Sequence, residues 1–294
     1  MKSILLKSIT VLMLFISAVG FAQDFQGKAI YQTKTTLDID FENSGIPADR
    51  IKMMQDRMKS QLEKTFELTF DKTASIYKEE VMLDQSAGGG RGGFRIGAFG
   101  GGTTGDYYKN TQTKTVVKES EFSGKNFLIK DVLKDYEWKM EQETKMIGEN
   151  MCFKATTTIE IPVRPEIKFG RRGGPGQNNR GQEEEEATKE EAPKTEEVVV
   201  TAWYALNIPV SQGPSDFWGL PGLILEVSYG NTNILCTKIV INPKDKIEIK
   251  EPKKGKEVSQ AEYDKIIAEK MKEMEERFRN ERQKGGQSGG RRRG

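Results

Sequence analysis

Asp216 and Glu226 bracket the most distinctive stretch of this chain, Phe217 to Leu225. Two carboxylates on opposite sides of a sugar suffice for glycoside hydrolysis, provided they stand roughly 5–9.5 Å apart. Little other catalysis is open to the sequence, because its 294 residues include no histidine. Ser-His-Asp sets, Cys-His pairs and ordinary zinc hydrolase sites all need an imidazole. The plainer reading of the pair is that Asp216 caps or bends its loop and Glu226 points to solvent or pairs with a lysine, since charged loop residues are usually solvated. No catalytic set, metal or cofactor is expected. Asp38, Asp40 and Glu42 alternate along a strand and have the ligand type for calcium, but they read more simply as its solvated face.

Two further groups have chemical potential. Cys152 and Cys236 are the only cysteines, and in an oxidising compartment two such thiols often pair; otherwise they are small buried apolar residues. Trp203, Tyr204, Phe217 and Trp218 lie close in sequence. They form either a contact surface for a ligand or partner, or the anchors of a loop in the core.

The elements that position these residues are mostly strands. Gln26 to Phe41, Thr65 to Asp71, Ala74 to Leu83, Asp106 to Glu119, Glu121 to Lys130, Tyr136 to Ile147, Glu149 to Ile161, Val198 to Ile208, Leu223 to Val227, Thr232 to Ile241 and Lys246 to Lys250 carry strand signals. Gly124-Lys125 is the expected tight connection of one pair. So much strand without helical crossovers predicts an antiparallel sheet. One helix is expected from Pro47 to Lys64, with Ile51, Met54, Met58 and Leu62 on its packed face. Another is expected from Ser259 to Arg282, opened by the capping box Ser259/Glu262 and striped by Tyr263, Ile266, Ile267, Met271, Met274 and Phe278. The fold class is mainly β with helices (α+β): a curved antiparallel sheet or half-barrel, one helix in the N-terminal half and one at the C-terminus.

The ends and insertions have their own composition. Lys2 and Lys7 precede an apolar run from Ile9 to Phe21, and Gly20 and Ala22 suit a signal-peptidase site, so 1–22 reads as a signal peptide. The run is too short to span a bilayer, and no transmembrane helix is expected in the mature chain. Residues 23–284 form the β-rich domain. Glycine and charge cluster at 87–105 and 169–197, which read as disordered insertions, and 285–294 as a disordered Gly/Arg tail. The Arg-Gly texture has RNA-binding parallels, but an exported chain of net charge +2 gives no reason to expect nucleic acid.

Leu220-Pro221-Gly222-Leu223 is a type II turn candidate, proline presetting φ and Gly222 taking the positive φ at the next position. Gly219-Leu220-Pro221-Gly222-Leu223-Ile224 also resembles the motif that names the GLPGLI family, exported proteins typical of Bacteroidetes. Trp203-Tyr204, Ile208-Pro209, Gly213-Pro214 and Phe217 resemble that family's lead-in. Gly148 and Cys152-Phe153-Lys154-Ala155 are similar to its Gly-x-x-Cys-x-Lys-Ala region, with one extra residue before Cys152. The resemblance implies no reaction and no catalytic residues. It implies an exported, non-catalytic binding or accessory protein of the periplasm or outer membrane, or a secreted one, with an envelope protein, a peptide or an apolar ligand as partner. Half-barrels that hold apolar ligands on a concave face are a fold-level analogy. A carboxylate-dependent hydrolase and a structural partner of an outer-membrane transporter are the alternatives.

Overall fold

Alternation is clearest in the strand that opens the domain: Gly27, Ala29 and Tyr31 are buried while Gln32 and Lys34 are exposed. The computed structural model describes residues 25–36, 47, 49–53, 56, 62–80, 106–162, 195–245 and 247–288. Within them one sheet contains β1 (Gln26–Thr35), β2 (Glu63–Asp71), β3 (Ala74–Glu79), β4 (Tyr107–Asn110), β5 (Thr115–Phe122) and β6 (Lys125–Val132). It continues with β7 (Lys139–Ile147), β8 (Asn150–Pro162), β9 (Thr195–Ala205), β10 (Leu223–Tyr229), β11 (Thr232–Ile241) and β12 (Lys256–Val258).

The order across this sheet is β12-β6-β5-β4-β3-β2-β1-β11-β10-β9-β8-β7. Every pairing is antiparallel except β12 on β6. One connection sets the curvature. Residues 133–138 carry the chain from β6 to β7, and at roughly 3.5 Å per residue they reach no further than about 25 Å. Those two strands are ten sheet positions apart, about 48 Å if the sheet were flat. The sheet therefore curls. Register shifts at Ile30/Tyr31, Ile224/Glu226 and Met140/Thr144 are where such bending is absorbed. The expected curved antiparallel sheet is present, open rather than closed into a barrel.

The inner face wraps the main core. Tyr31, Leu68, Phe70, Tyr77, Tyr107, Val116, Ala155, Val200, Ala202, Val227 and Ile234 all belong to it. On the outer face Ala74, Tyr108, Val117 and Leu128 form a separate cluster covered by Ile249. The segment expected as a strand at Lys246 to Lys250 contributes this cover and a hydrogen bond from Ile247 N to Gln26 Oε1 at 2.7 Å, but residues 247–250 are in no strand, and the strand forms later, as β12.

Two other boundaries differ from expectation for local reasons. Asp106 to Glu119 is broken into β4 and β5, because Asn110 Oδ1 accepts the amides of Gln112 and Thr113 and Lys114 turns at φ 52°. Asparagine closes such turns with its own side chain. β5 and β6 meet at Ser123-Gly124, both at positive φ (54° and 76°), a type I′ hairpin one residue before the expected position.

Residues 49–53, 56 and 62 are helical, with the amides of Arg50 and Ile51 donating to the Pro47 carbonyl. The C-terminal helix runs from Gln260 to Ser288, four residues into the expected tail. Its capping box is made: Ser259 N donates to Glu262 Oε2 at 2.9 Å and Glu262 N to Ser259 Oγ at 3.2 Å. Tyr263, Ile266 and Ile267 pack on Phe127, Ile129 and Val258, and the Tyr263 hydroxyl meets Ser120 Oγ. β9 begins at Thr195, inside the expected second insertion. The expected signal peptide, residues 37–46 with their carboxylates, the expected first insertion and positions 169–194 of the expected second lie outside the described residues.

Candidate functional site

Residues 206–222, between β9 and β10, fold back onto the inner face of the sheet. Val210, Phe217 and Leu220 are buried to 2% exposure or less. Backbone hydrogen bonds tie the loop to its exit strand: Leu223 N donates to Ile208 O and Ile224 N to Gln212 O. A buried loop must satisfy its polar backbone somewhere, and here the sheet supplies the partners. Lys109 of β4 donates to Gly213 O at 2.7 Å and Phe217 O at 2.9 Å. Ser75 of β3 donates to Gln212 Oε1 at 2.8 Å. Tyr31 of β1 donates to Ile224 O at 2.7 Å, close to the shift in the β9–β10 ladder.

Lys109 is wholly buried. Burial pushes its ammonium down to about 7, against a smaller upward pull from Asp216. Burial also holds the hydroxyls of Tyr31, Tyr77, Tyr107 and Tyr136 well above the usual phenol range.

The connection 133–138 clasps the loop from its other side. Trp138 Nε1 donates to Trp218 O at 2.8 Å, and Trp218 Nε1 donates to Lys134 O at 2.7 Å. Tyr136 donates to Asp216 Oδ2 at 2.8 Å and packs on Phe217 with ring centroids 5.5 Å apart. These reciprocal bonds hold the crossover to the motif. Lys109, Tyr136 and Trp138 are the main residues that sequence reasoning missed. Lys109 looks like any solvated strand lysine, and its burial depends on a loop 104 residues away.

The motif's glycines work differently from the turn expected of them. Gly222 is not among the positive-φ residues, so the turn is not type II. A Cβ on Gly222 would stand 2.2 Å from the Ala205 carbonyl oxygen; close approach to the end of β9 is what demands glycine there. The positive φ belongs to Gly219, at 98°, where the chain bends around the Trp138 indole. Gly213 is another contact glycine: a Cβ there would have Phe217 O and Ile224 within 2.9 Å.

The four aromatics divide. Tyr204, Phe217 and Trp218 are 6%, 2% and 9% exposed, which fits anchors of the loop and not a contact surface. Trp203 is half-buried on the outer face, with Lys145 Nζ 4.3 Å from its ring centroid. Lys145 also bridges Glu226 at 2.7 Å.

The two carboxylates do not converge. Glu226 is in register with Trp203 and shares its outer face. Asp216 lies on the inner side with Tyr136, Tyr107 and Lys109. The sheet stands between them, so they cannot flank one sugar. Of the two plainer readings of Glu226, exposure to solvent or pairing with a lysine, the pairing is realised, with Lys145.

The cysteines are both free thiols and buried. β9 and β10 lie between their strands, a separation of about 14 Å across three strand spacings, beyond the roughly 7 Å Cα limit of a disulfide. Burial pushes the Cys152 thiol up to about 11 and the Cys236 thiol up to about 12. Neither is poised as a nucleophile at neutral pH. Among the described residues no group of acidic or sulfur side chains converges as a metal site, and no helix is long and apolar enough to cross a membrane.

No curated protein matches the sequence. Among solved structures, PNGF-II in a C2 crystal form aligns at TM-score 0.46 and 13% identity, over 83% of this chain and 32% of that one. The same protein in a P21 form gives 0.44 and 12%, over 83% and 33%. This chain thus spans about a third of PNGF-II. LprF from Mycobacterium bovis aligns at TM-score 0.23 and 9% identity, over 79% of this chain and 90% of LprF. A family model described as a protein of unknown function (Porph_ging) matches residues 138–226, from the clasping Trp138 through the inserted loop to Glu226.

Proposed function

We propose that this chain is an exported cell-envelope protein of the GLPGLI type that acts by binding or scaffolding and not by catalysis. One observation carries the reading: the inner face, where a half-barrel would hold an apolar ligand, is occupied by the protein's own loop 206–222. A binding function then falls to the outer face, the edges and the C-terminal helix, which suits a protein or peptide partner better than a small apolar ligand. Export is supported by the charged, apolar and small-residue order of positions 1–22. A hydrolase built on Asp216 and Glu226 is disfavoured by their placement on opposite faces.

Native mass spectrometry of the protein purified from its own envelope fraction tests this. The expected result is a chain beginning at Gln23 that carries an envelope protein or peptide above the level of a tagged control. A chain retaining its first 22 residues, or one released from the envelope with nothing bound, would overturn the reading. So would glycan cleavage that is lost in Asp216→Asn.

A further inference from the structure

β7 ends the sheet on one side, and its first six residues are exposed. Its partner β8 leaves Glu141, Gln142 and Glu143 without ladder partners, at the register shift. Met140, Met146 and, opposite it on β8, Met151 are 56%, 59% and 57% exposed, and Leu206 nearby is 45% exposed. Met140 lies on the inner face, with its sulfur 3.4 Å from the Tyr204 hydroxyl. An open edge beside an exposed methionine patch is a template for strand addition.

Charges along an edge usually prevent that. Here their order matters. β7 reads Lys139-Met140-Glu141-Gln142-Glu143-Thr144-Lys145-Met146-Ile147, with Met140 and Met146 equidistant from Glu143, and Glu141 and Lys145 likewise. When two copies run antiparallel about a two-fold axis through Glu143, Met140 meets Met146 and Glu141 meets Lys145, each pair occurring twice. Gln142 meets Thr144. The two Glu143 carboxylates on the axis are each already held by Lys154 at 2.7 Å. Glu226 occupies the Lys145 ammonium from one direction, and its remaining donors can serve the partner's Glu141.

Other registers lose these matches. A shift of two residues one way sets Lys139 against Lys145 and Glu141 against Glu143. The opposite shift pairs Lys145 with Glu143, which Lys154 already holds, but sets Met146 against Gln142. Opposite charges directly across a strand pair stabilise it and like charges destabilise it, so only the register through Glu143 matches charges and methionines together.

We infer that β7 is a homodimerisation edge: a second copy of this chain pairs antiparallel about Glu143, extending the sheet and covering the methionines of both copies. This is an isologous two-fold contact, and it holds or fails independently of where the protein is exported.

Sedimentation of the purified chain over a concentration series, together with cysteine cross-linking, tests it. The native chain should approach twice its monomer mass. Glu143→Cys should form a disulfide-linked dimer under mild oxidation, because the two-fold axis brings the new thiols together; the native cysteines are buried. Val199→Cys, 62% exposed on an interior strand, should not. Glu141→Lys should weaken the dimer about tenfold or more, since it turns two attractive pairs into repulsive ones, while lowering the melting temperature of the monomer only slightly, because it loses there an exposed hydrogen bond from Thr156 Oγ1 and an attraction to Lys154. If that variant misfolds, the cross-link formed by Glu143→Cys decides. A single-chain mass at every concentration, with no cross-link in Glu143→Cys, overturns the inference. So does a dimer that withstands Glu141→Lys and does not cross-link there, because it would use another surface.

Discussion

The loop at 206–222 and the edge strand β7 both carry side chains that prefer to leave water, yet those side chains meet opposite fates. In the loop, Val210, Phe217, Leu220 and most of Trp218 are withdrawn from solvent, and the backbone is answered by Lys109, Trp138 and the loop's own exit strand. On β7, Met140 and Met146 stay more than half exposed, beside a backbone edge with no neighbour in the sheet among the described residues. The contrast separates two meanings of an apolar signature. The conspicuous motif is spent on internal packing, whereas the inconspicuous strand leaves apolar surface and hydrogen-bonding capacity available to another molecule.

The sharpest way to break the loop is Gly222→Val. Its side chain would collide with the Ala205 carbonyl, 2.2 Å from the new Cβ. A loss of about 4 kcal/mol or more is expected, the range reserved for severe core disruption. Urea denaturation of the variant measures it, and a variant unfolding at the native midpoint would refute the packing role.

A smaller effect is expected from Lys109→Met, which keeps the volume but leaves Gly213 O and Phe217 O without their donor. About 2 kcal/mol should be lost at neutral pH, the scale of an unmet buried acceptor. The pH profile is more specific. Between about 7, the value in the folded chain, and 10.5, the ordinary lysine value, the unfolded chain holds a proton on Lys109 that the folded chain has released. Stability contributed by this group therefore rises with pH across that window, by up to about 1.4 kcal/mol per unit. Above pH 10 the buried tyrosines act the other way, because the unfolded phenols ionise first. Denaturation midpoints from pH 6 to 10 should climb in the native chain and flatten in Lys109→Met; parallel profiles would refute the assignment.

The smallest effect belongs to the edge. Met146→Ser removes apolar surface that is already 59% exposed, so monomer stability should change by no more than about 0.5 kcal/mol. If thermal unfolding of the dilute chain shows a loss like that of Lys109→Met, the comparison between loop and edge collapses.

Much of the sheet is legible along the chain. Alternating runs such as Gln26–Thr35 and the β-branched stretch ending β9 follow a period of two that any half-buried strand must have. The capping box at Ser259 is readable because its partners are three residues apart. Less legible are features made by long-range contact. Asp216 and Glu226 are near in sequence, but the sheet runs between them, so spacing is no guide to their distance. Gly222 reads as a backbone-conformation glycine because a Pro-Gly pair is a local signal; its real constraint is an atom of Ala205, 17 positions earlier in the chain. The same limit applies to Cys152 and Cys236, whose separation depends on how many strands are laid between them.

By itself the amino-acid sequence determined the elements and the class: strands from period-two alternation, helix entry from Pro47 and Ser259, and an exclusion of imidazole chemistry from the missing histidines. Tertiary structure decided what the motif is for. Curvature of a sheet ten positions wide between β6 and β7, closed by a six-residue connection, creates an inner face that a loop from the same chain fills. Burial then makes Lys109 a latch and Trp138 a clasp. The physical reason is that alternation and capping act over a few residues, whereas burial, charge pairing and close approach depend on which distant segments the fold brings together.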